Sequence, residues 1–421
     1  MFALGCGASW FLYFHRYLFS LIKPTLAKEW GLSNTELGVV DTTFSICYSA
    51  FQLPLGILVD TIGPHFLLTG LIGFWSIAIA GHAWAANLAT LCVVRGAFGA
   101  FQSGALASMS QVTRRWFPQS ARTIYQGWMV VFSARLGAAF SSLIFMWFLL
   151  GVLGIDWRTA SCLVAAAGLI MAAVFAVFFR NSPREHAKCN EAEIELIDEG
   201  KPGEDESEKL SFVDLLRRLS PRSVVNLLAL NLQSTLSTIA DSIYSLWIPK
   251  FLSDVHSLSF KEMGLISSLP LIGGALGGAC GGWMNDKLIQ ILGNRARARS
   301  LVGLTGKLLA GTILIIDVLF FFNDPYIFCG LLFLVKFVGD WSLAASWGTV
   351  TDIGGRATAS VFAFNNSVAG VGAMLSPILI GYVADKYTWM HVFVVIAIFY
   401  VLCALSWLLI NCSIPLFARD K

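Results

Sequence analysis

Several charged side chains lie inside apolar segments that are long enough to cross a bilayer, which takes about 20 residues. Arg16, Arg95 and Asp241 are three of them. A charge at bilayer depth costs about 3 kcal/mol or more, so such residues normally face the interior of a helix bundle or a watery cavity. An arginine guanidinium in that setting can hold a carboxylate through two parallel charge-assisted hydrogen bonds. The pattern therefore predicts a path for a polar, anionic solute.

Tyrosine and amide side chains in other apolar segments could line the same path. Gln102 follows Arg95 by seven residues, so the two are expected on one helical face. Aromatic residues of membrane proteins also lie at interfaces or in packing, which is the alternative for the tyrosines. The alternative for Arg16 is an ion pair with a buried acid. The predicted substrate-binding residues are Arg16, Tyr13, Tyr48, Gln102, Tyr244, Asn365 and Asn366.

Asp241 is the candidate acid for coupling transport to a cation. When the two halves of the chain are aligned on Pro24 and Pro249, Asp241 takes the position of Arg16, eight residues before the proline. We therefore expect Asp241 to face Arg16 across the axis of the molecule. A structural ion pair, or solvation at a helix end, is the alternative.

Other charges in the spans are expected to pair. Lys336 and Asp340 are four residues apart, on one face of a helix, and are predicted to pair with each other. Arg135 is either a second anchor for an anion or the partner of Asp41.

The composition is that of a membrane protein. Of the 421 residues, 56% are hydrophobic and 13% charged, against about 25% charged in soluble domains, which excludes an ordinary soluble enzyme. The nine cysteines are scattered and are expected to pack as small apolar residues. No metal site, phosphate loop or catalytic triad is recognisable, so no cofactor, metal or enzymatic activity is expected. Twelve spans are predicted, over 1–22, 36–59, 66–86, 88–112, 123–150, 159–180, 222–250, 262–284, 300–322, 325–349, 358–384 and 390–411.

Positive charge predicts the orientation, because cytoplasmic segments of membrane proteins carry an excess of Lys and Arg. With both termini in the cytoplasm, most basic residues outside the spans fall on the cytoplasmic side, and Lys23 and Lys250 are among the few assigned to outer loops. The net charge of +3 reflects this bias and does not indicate nucleic-acid binding. No charged segment precedes the first span, so no cleaved signal peptide is expected.

A polar, acidic stretch at 181–221 separates an N-terminal half, 1–180, from a C-terminal half, 222–421. This stretch is predicted to be a flexible cytoplasmic linker that ends in an amphipathic helix at Ser211–Leu219. The halves repeat, because Gly56-x-x-x-Asp60 and Gly282-x-x-x-Asp286 follow the second and eighth spans. Parallel six-helix repeats are a transporter architecture in which the solute site lies between the halves.

The repeated aspartates are predicted to form latches that close the cytoplasmic side. Asp60 is expected near Arg114 and Arg115, and Asp286 is expected near Arg356. Simple capping of the next helix is the alternative. The predicted gating residues are Asp60, Arg115, Asp286 and Arg356.

These motifs resemble the major facilitator superfamily. The Gly-x-x-x-Asp-x-x-Gly at 56–63 is similar to the signature between its second and third helices, although Thr61, Pro64 and His65 stand where basic residues are expected. Within the superfamily, the chain most resembles the anion:cation symporter family. The stretches that carry this second resemblance are Tyr13-Phe14-His15-Arg16, Arg95 with Gln102, Arg115-Trp116-Phe117-Pro118, Tyr244-x-x-Trp247-x-Pro249-x-x-Leu252, and Asn365-Asn366 with Ser376-Pro377.

The resemblance implies an all-α membrane protein with twelve transmembrane helices in two pseudo-symmetric six-helix halves. It also implies secondary active transport of a sugar acid or other small carboxylate by alternating access. The two acids that the family uses for proton coupling correspond to His15 and Gln102. A glutamine cannot titrate, whereas a histidine has a reference pKa of about 6.5. Coupling to H⁺ or Na⁺ is therefore expected to involve His15, Arg95 or Asp241.

Two other functions stay open at this point. An organophosphate/phosphate antiporter fits the segment 32–38, but its arginine in the seventh span is missing and Asp241 lies nearby instead. A transport-inactive membrane sensor of the same fold would explain the loss of the two acids. In each case we expect a monomer in the plasma (inner) membrane, in contact with the lipid bilayer.

Overall fold

The structure is a computed structural model that describes residues 1–118, 121–122, 125, 127–186, 189–198, 221–354, 358–414 and 416. The chain forms two compact units. The first unit contains Met1–Asp205 together with Leu258–Ser268, and the second contains Glu206–Ser257 together with Leu269–Lys421. The helix predicted at 211–219 and the gating residue Arg356 lie outside the described residues.

The elements of residues 1–198 are helical, and the last two of them lie within the predicted linker. They are α1 (Phe2–Trp30), α2 (Asn34–Ile62), α3 (Pro64–Trp84), α4 (Leu88–Ser103), α5 (Ala105–Trp116), a π-helical segment (Gly127–Phe132), α6 (Ser133–Ser141), a second π-helical segment (Ser142–Val152), α7 (Trp157–Phe178), a 3-10 turn (Pro183–Glu185) and α8 (Glu191–Asp198).

The elements after the linker are α9 (Pro221–Leu246), α10 (Ile248–His256), α11 (Phe260–Ile266), α12 (Ser268–Leu292), α13 (Arg295–Phe320), α14 (Pro325–Gly339), α15 (Trp341–Gly354), α16 (Thr358–Lys386) and α17 (Trp389–Ser406). Helix α11 belongs to the first unit, where it packs against the π-helical segment Ser142–Val152.

Apolar length accounts for most of the predicted spans. Within the described residues, nine helical stretches are long and apolar enough to cross a membrane. They include α2, α3, α7, α13 and α17, and the joined pairs α11–α12 and α14–α15. The spans predicted at 1–22, 88–112 and 222–250 are not among them, because their helices carry more polar side chains. Helix α1 also extends beyond the predicted end, through Pro24 to Trp30.

The internal repeat is visible in the way two helices begin. Ser33 accepts a hydrogen bond from the backbone N–H of Glu36, whose carboxylate accepts one from the Ser33 N–H at 2.8 Å. Ser259 and Glu262 form the same capping box at the start of α11. A capping box satisfies two backbone donors that a helix start would leave unpaired. The second and eighth predicted spans therefore begin with the same local signal.

Glycines allow two helix pairs to approach closely. Gly273 and Gly277 of α12 lie directly against the carbonyl oxygens of Phe333 and Phe337 of α14, where a Cβ atom would clash. In the first unit, Gly99 of α4 lies in the same way against the carbonyl of Phe44 on α2. Close backbone approach of this kind is typical of packed membrane helices.

Two lysines assigned to outer loops are instead buried in helices. Lys23 lies within α1 with none of its surface exposed, and Lys250 lies within α10 with 6% exposed. The assignment was wrong because both helices continue past the ends predicted from hydropathy. Each lysine has an acidic partner, which is how a buried ammonium group is stabilised; Lys250 pairs with Asp254 at 2.5 Å.

Candidate functional site

Arg16 lies in α1 in a cage of neutral side chains. The guanidinium carbon is 5.0 Å from the ring centre of Tyr13, 4.9 Å from that of Tyr48 and 5.4 Å from that of Phe44. A cation within about 6 Å of an aromatic face is attracted by the ring quadrupole. The structure therefore brings together Arg16, Tyr13 and Tyr48, three of the predicted substrate-binding residues.

Gln102 is the hydrogen-bonding partner of Arg16. Arg16 Nε donates to Gln102 Oε1 at 3.0 Å, and Gln102 Nε2 donates to the carbonyl of Leu12 at 2.8 Å. The amide is thereby fixed with its oxygen toward the guanidinium, and Gln102 is completely buried. Arg16 Nη2 is buried and has no hydrogen-bond partner among the described residues. Arg16 also forms no ion pair with any of these residues. Arg16 therefore keeps donor capacity that an anion can use.

Arg95 belongs to a separate buried ion cluster next to Arg16. Lys23 Nζ lies 2.5 Å from Asp41 Oδ2, and Arg95 Nη2 lies 3.1 Å from Asp41 Oδ1. All three side chains are at most 2% exposed. Two bases thus share one acid, and the cluster carries a net positive charge. Asp41 is the partner of Lys23 and Arg95, while Arg135 stays without an assigned role.

The cluster is linked to the backbone of Arg16. Arg95 Nη2 also donates to the carbonyl of Arg16 at 3.4 Å, and its guanidinium lies 4.7–5.2 Å from the ring centres of Phe19, Phe44 and Phe98. Phe44 contacts both arginines, so the two guanidinium groups flank one ring. Arg95 is thus a neighbour of the Arg16 site and positions the turn of α1 on which Arg16 stands.

His15 points away from this cage into the packing between helices. Its Nε2 lies 3.2 Å from the carbonyl oxygen of Val164 on α7, and its ring lies against Gly168. The side chain is completely buried. The role of His15 in coupling stays a prediction; the structure places the ring at the contact of α1 with α7.

The second unit contains a cluster centred on Asp241. Asp241 Oδ1 lies 2.8 Å from Lys336 Nζ and accepts a hydrogen bond from the Tyr400 hydroxyl at 2.8 Å. Asp241 Oδ2 lies 3.5 Å from Lys307 Nζ and accepts a hydrogen bond from Ser237 at 3.1 Å. Helices α9, α13, α14 and α17 each contribute to this cluster. Neither Lys307 nor Tyr400 was given a role from sequence; the signal for Lys307 was a lone lysine in the ninth span.

The predicted pairing of Lys336 with Asp340 is confirmed, at 2.6 Å. Lys336 therefore bridges Asp340 and Asp241, and the cluster contains two acids and two lysines. Its charges balance, in contrast to the positive cluster of the first unit.

The other predicted substrate residues of the second unit are dispersed. Tyr244 is 3% exposed, and its ring centre lies 5.7 Å from Lys336 Nζ. Asn365 is buried and donates to the hydroxyl of Ser234 at 2.9 Å, with its carbonyl oxygen unpaired within the described residues. Asn366, the next residue on α16, is exposed. Of the two amides, Asn365 is the one that points inward.

Two of the predicted gating residues, Asp60 and Arg115, lie near the ends of α2 and α5. Asp60 Oδ1 accepts a hydrogen bond from Gln111 at 2.6 Å, and a cavity of about 410 Å³ there is lined by Asp60, Gln111, Arg114 and Arg115. Asp286 is exposed and accepts a hydrogen bond from Asn285 at 3.4 Å. In the second unit, Asp352 follows Lys336 by 16 residues, as Gln111 follows Arg95, and it pairs with Arg299 at 2.5 Å. The matched spacing is the sequence signal for a contact of Asp352 at this position.

A protein-family model and several named transporters match most of the chain. The family model described as Major Facilitator Superfamily matches residues 5–321 and 230–415. A probable sulfoacetate transporter, SauU, from Cupriavidus necator is 28% identical, and the match covers 90% of this chain and 86% of the relative. A probable L-galactonate transporter from Escherichia coli is 26% identical, covering 89% of this chain and 80% of the relative. The hexuronate transporter of Escherichia coli is 24% identical, covering 93% and 89%.

Solved structures of low sequence identity share the fold. A bacterial homolog of the human lysosomal transporter Spinster, in an inward-facing and unoccupied conformation, superposes with a TM-score of 0.78 at 16% identity, covering 98% of this chain and 96% of the other. A mutant form of the nucleoside transporter NupG superposes with a TM-score of 0.69 at 14% identity, covering 97% of this chain and 99% of the other.

Proposed function

The chain belongs to the Major Facilitator Superfamily, and on that premise we propose that it moves a small organic anion across a membrane by alternating access, with Arg16 as the residue that holds the anion. The observation that carries this proposal is the state of the guanidinium: Nη2 of Arg16 is buried without a hydrogen-bond partner in the described residues, and Nε donates only to the neutral Gln102. A buried donor of this kind costs about 1–3 kcal/mol until a partner is supplied.

An anionic group meets that need better than a neutral one. The planar guanidinium fork matches a carboxylate or a sulfonate, and such charge-assisted bonds are stronger than neutral ones. The rings of Tyr13 and Tyr48 lie beside the fork, and their hydroxyls are proposed to donate to a substrate hydroxyl or to the same anionic group. The net positive cluster of Lys23, Asp41 and Arg95 adds attraction for a negative charge.

The relatives supply the substrate class. They are named for sulfoacetate, L-galactonate and hexuronate, which share a small polar skeleton and at least one carboxylate. We take a sugar acid or a short sulfonated carboxylate as the substrate. Gln102, Tyr244, Asn365 and Asn366 are the polar residues proposed to read its hydroxyl groups.

Coupling to a cation is proposed to involve Asp241, with His15 and Arg95 as further candidates. Asp241 has two lysine partners and one tyrosine partner, so a change in any of these contacts alters its affinity for a proton or for sodium. The proposed gates are Asp60 with Arg115 and Asp286 with Arg356. The protein is proposed to act as a monomer in the plasma membrane, with both termini in the cytoplasm.

The test begins with ligand binding and continues with transport. Purified protein is heated in the presence of sulfoacetate, L-galactonate, a hexuronate, a sugar phosphate or inorganic phosphate, and the shift of the melting temperature identifies the class. Protein in liposomes is then assayed for uptake and counterflow of the labelled hit. Uptake of a carboxylate without exchange for phosphate supports the proposal.

Two results would contradict it. Counterflow driven by inorganic phosphate would identify an organophosphate/phosphate antiporter. Binding of an anion without any uptake in liposomes, under inward or outward gradients of H⁺ and Na⁺, would identify a membrane sensor with the same fold.

A further inference from the structure

Asp317 is a buried carboxyl group that none of the clusters above uses. It lies near the end of α13, on the buried face that also carries Leu314 and Val318, while Leu319 and Phe320 on the other side of the helix are exposed. None of its surface is exposed. Both carboxyl oxygens lack a hydrogen-bond partner among the residues that the structure describes.

An ionised carboxylate is unstable in such a place. Removing a charge from water without a partner costs so much free energy that the group takes up a proton instead. Asp41 and Asp241 show the contrast, because each is contacted by two basic side chains. Asp317 has no such partner in the described part of the chain, so a proton is the simplest way to remove its charge.

The groups that surround Asp317 are neutral or already paired. The Cys329 thiol of α14 and the Tyr244 hydroxyl of α9 interact with the carboxyl electrostatically. Of the charged groups on the helices packed against α13, Lys336 of α14 is engaged by Asp241 and Asp340, and Asp352 of α15 is engaged by Arg299.

The remaining titratable groups on α17 also have partners. Tyr400 donates to Asp241, and the Cys403 thiol donates to the carbonyl of Gln233 at 3.5 Å. His391, also on α17, is exposed, and its Nδ1 is hydrogen-bonded to the Thr388 hydroxyl at 2.8 Å. The environment of Asp317 therefore contains hydroxyl and thiol groups, and the described residues leave no cation for it.

Asp317 is not hydrogen-bonded to the Asp241 cluster. The Tyr244 hydroxyl is buried and has no hydrogen-bond partner among the described residues, whereas Tyr400 donates a 2.8 Å hydrogen bond to Asp241. Asp317 is therefore a site of its own.

We propose that Asp317 is a proton-binding site of the second unit, loaded in the conformation described here. The proton is released when a change of conformation brings water or a basic group to the carboxyl group, so that an ionised Asp317 gains the partner that it lacks here.

The first experiment detects the proton without any substrate. Infrared spectra of the purified protein are compared for wild type, Asp317→Asn and Asp324→Asn. Asp324 is the matched control, because it is an exposed acid on the loop after α13 and asparagine keeps its capping contacts to Tyr326 and Ile327. We expect a protonated-carboxyl band at neutral pH that weakens in alkaline buffer, is lost in Asp317→Asn and is kept in Asp324→Asn.

An unchanged band pattern in Asp317→Asn would overturn the proposal, and so would a band that does not respond to pH up to the limit of stability. The melting temperature of Asp317→Asn is measured in parallel. Because asparagine is uncharged and of equal size, we expect it to fold.

The second experiment tests coupling and rests on the proposed transport function. Liposomes containing each variant are loaded for counterflow, and are separately given an inward proton gradient with the labelled anion identified above. We expect Asp317→Asn to keep counterflow but to accumulate substrate only to the external concentration.

Proton-driven accumulation by Asp317→Asn at the wild-type level would overturn the proposal. So would wild-type accumulation that depends on sodium and not on pH. If no anion is transported at all, the proposed function fails while the infrared experiment still decides whether Asp317 binds a proton.

Discussion

Arg16 Nε donates a 3.0 Å hydrogen bond to Gln102 Oε1, so the hydrogen-bonding partner of this arginine is uncharged. The family that the chain resembles has a glutamate at the position of Gln102. An acid there would compete with substrate for the guanidinium, whereas an amide orients the guanidinium and leaves its charge unmatched. If Arg16 holds the anion, as we propose, the exchange of acid for amide is expected to favour binding at every pH at which the anion is ionised.

Gln102→Glu should make anion binding depend on pH. The introduced carboxylate is ionised at neutral pH and pairs with Arg16, so the affinity for the anion should fall by about tenfold or more, since a charge-assisted bond is worth about 1.5–3 kcal/mol. As the pH falls and the carboxylate takes up a proton, the affinity should recover. Binding of the identified anion is measured calorimetrically across the stable pH range. Equal affinity of wild type and variant at neutral pH would contradict the model.

Arg16→Ala should abolish binding of the anion, and Arg16→Lys should restore it only in part, because an ammonium group cannot copy the planar fork. Arg158→Ala is the matched control in the same unit; Arg158 is a partly exposed arginine paired with Glu29 at 2.8 Å. Dissociation constants are compared for the three variants. Wild-type affinity in Arg16→Ala would remove Arg16 from the substrate site.

Asp41→Asn should destabilise the first unit strongly. It leaves Lys23 and Arg95 buried without an ionised partner, and breaking a buried pair costs about 3–5 kcal/mol. The melting temperature in detergent should fall well below that of Glu29→Gln, which breaks a partly exposed pair worth about 0–1 kcal/mol. Adding Lys23→Met to Asp41→Asn should recover part of the loss. A melting temperature of Asp41→Asn equal to that of the control would show that the cluster does not stabilise the unit.

Asp60→Asn and Asp286→Asn should shift the protein toward the conformation that is open to the cytoplasm. The first weakens the 2.6 Å contact with Gln111 and removes a charge next to Arg114 and Arg115. In a background without the native cysteines, a reporter Tyr48→Cys is labelled with an impermeant reagent in inside-out vesicles. Faster labelling is expected in both variants but not in Glu191→Gln, an exposed acid of α8. Unchanged labelling in both would argue that the aspartates only cap helices.

Asp241→Asn should uncouple transport from the cation gradient. It leaves Lys307 and Lys336 without the carboxylate that they share, so we expect exchange of the anion to continue while accumulation against a gradient is lost. Tyr400→Phe removes the 2.8 Å hydrogen bond to Asp241 Oδ1 and should cause a partial loss of accumulation. Ser237→Ala, which removes the 3.1 Å hydrogen bond to Asp241 Oδ2, serves as its control. Normal ion-dependent accumulation by Asp241→Asn would exclude it from coupling.

The fold class followed from local properties of the chain. Apolar length, the excess of positive charge in some loops and repeated glycine-aspartate motifs are each read within a few dozen residues, and the lipid bilayer enforces them because every backbone polar group in it must be paired within the protein. The capping boxes at Ser33 and Ser259 belong to the same class of signal. The pairing of Lys336 with Asp340 could also be predicted, since a separation of four residues places both side chains on one helical face.

Partners that come from different helices were decided by the tertiary structure. Arg16 was recognised from its depth in an apolar span, but its contact with Gln102, 86 residues away, depends on how α1 and α4 are rotated about their axes. Lys23 was assigned to a loop and is instead buried against Asp41, and Lys307 was given no role although it contacts Asp241. Hydropathy averages over many residues and carries no information on rotation or on the end of a polar helix. Helix rotation and helix ends depend on the sum of many packing contacts. The same contacts decide which buried charged group has a partner and which, like Asp317, has none among the described residues.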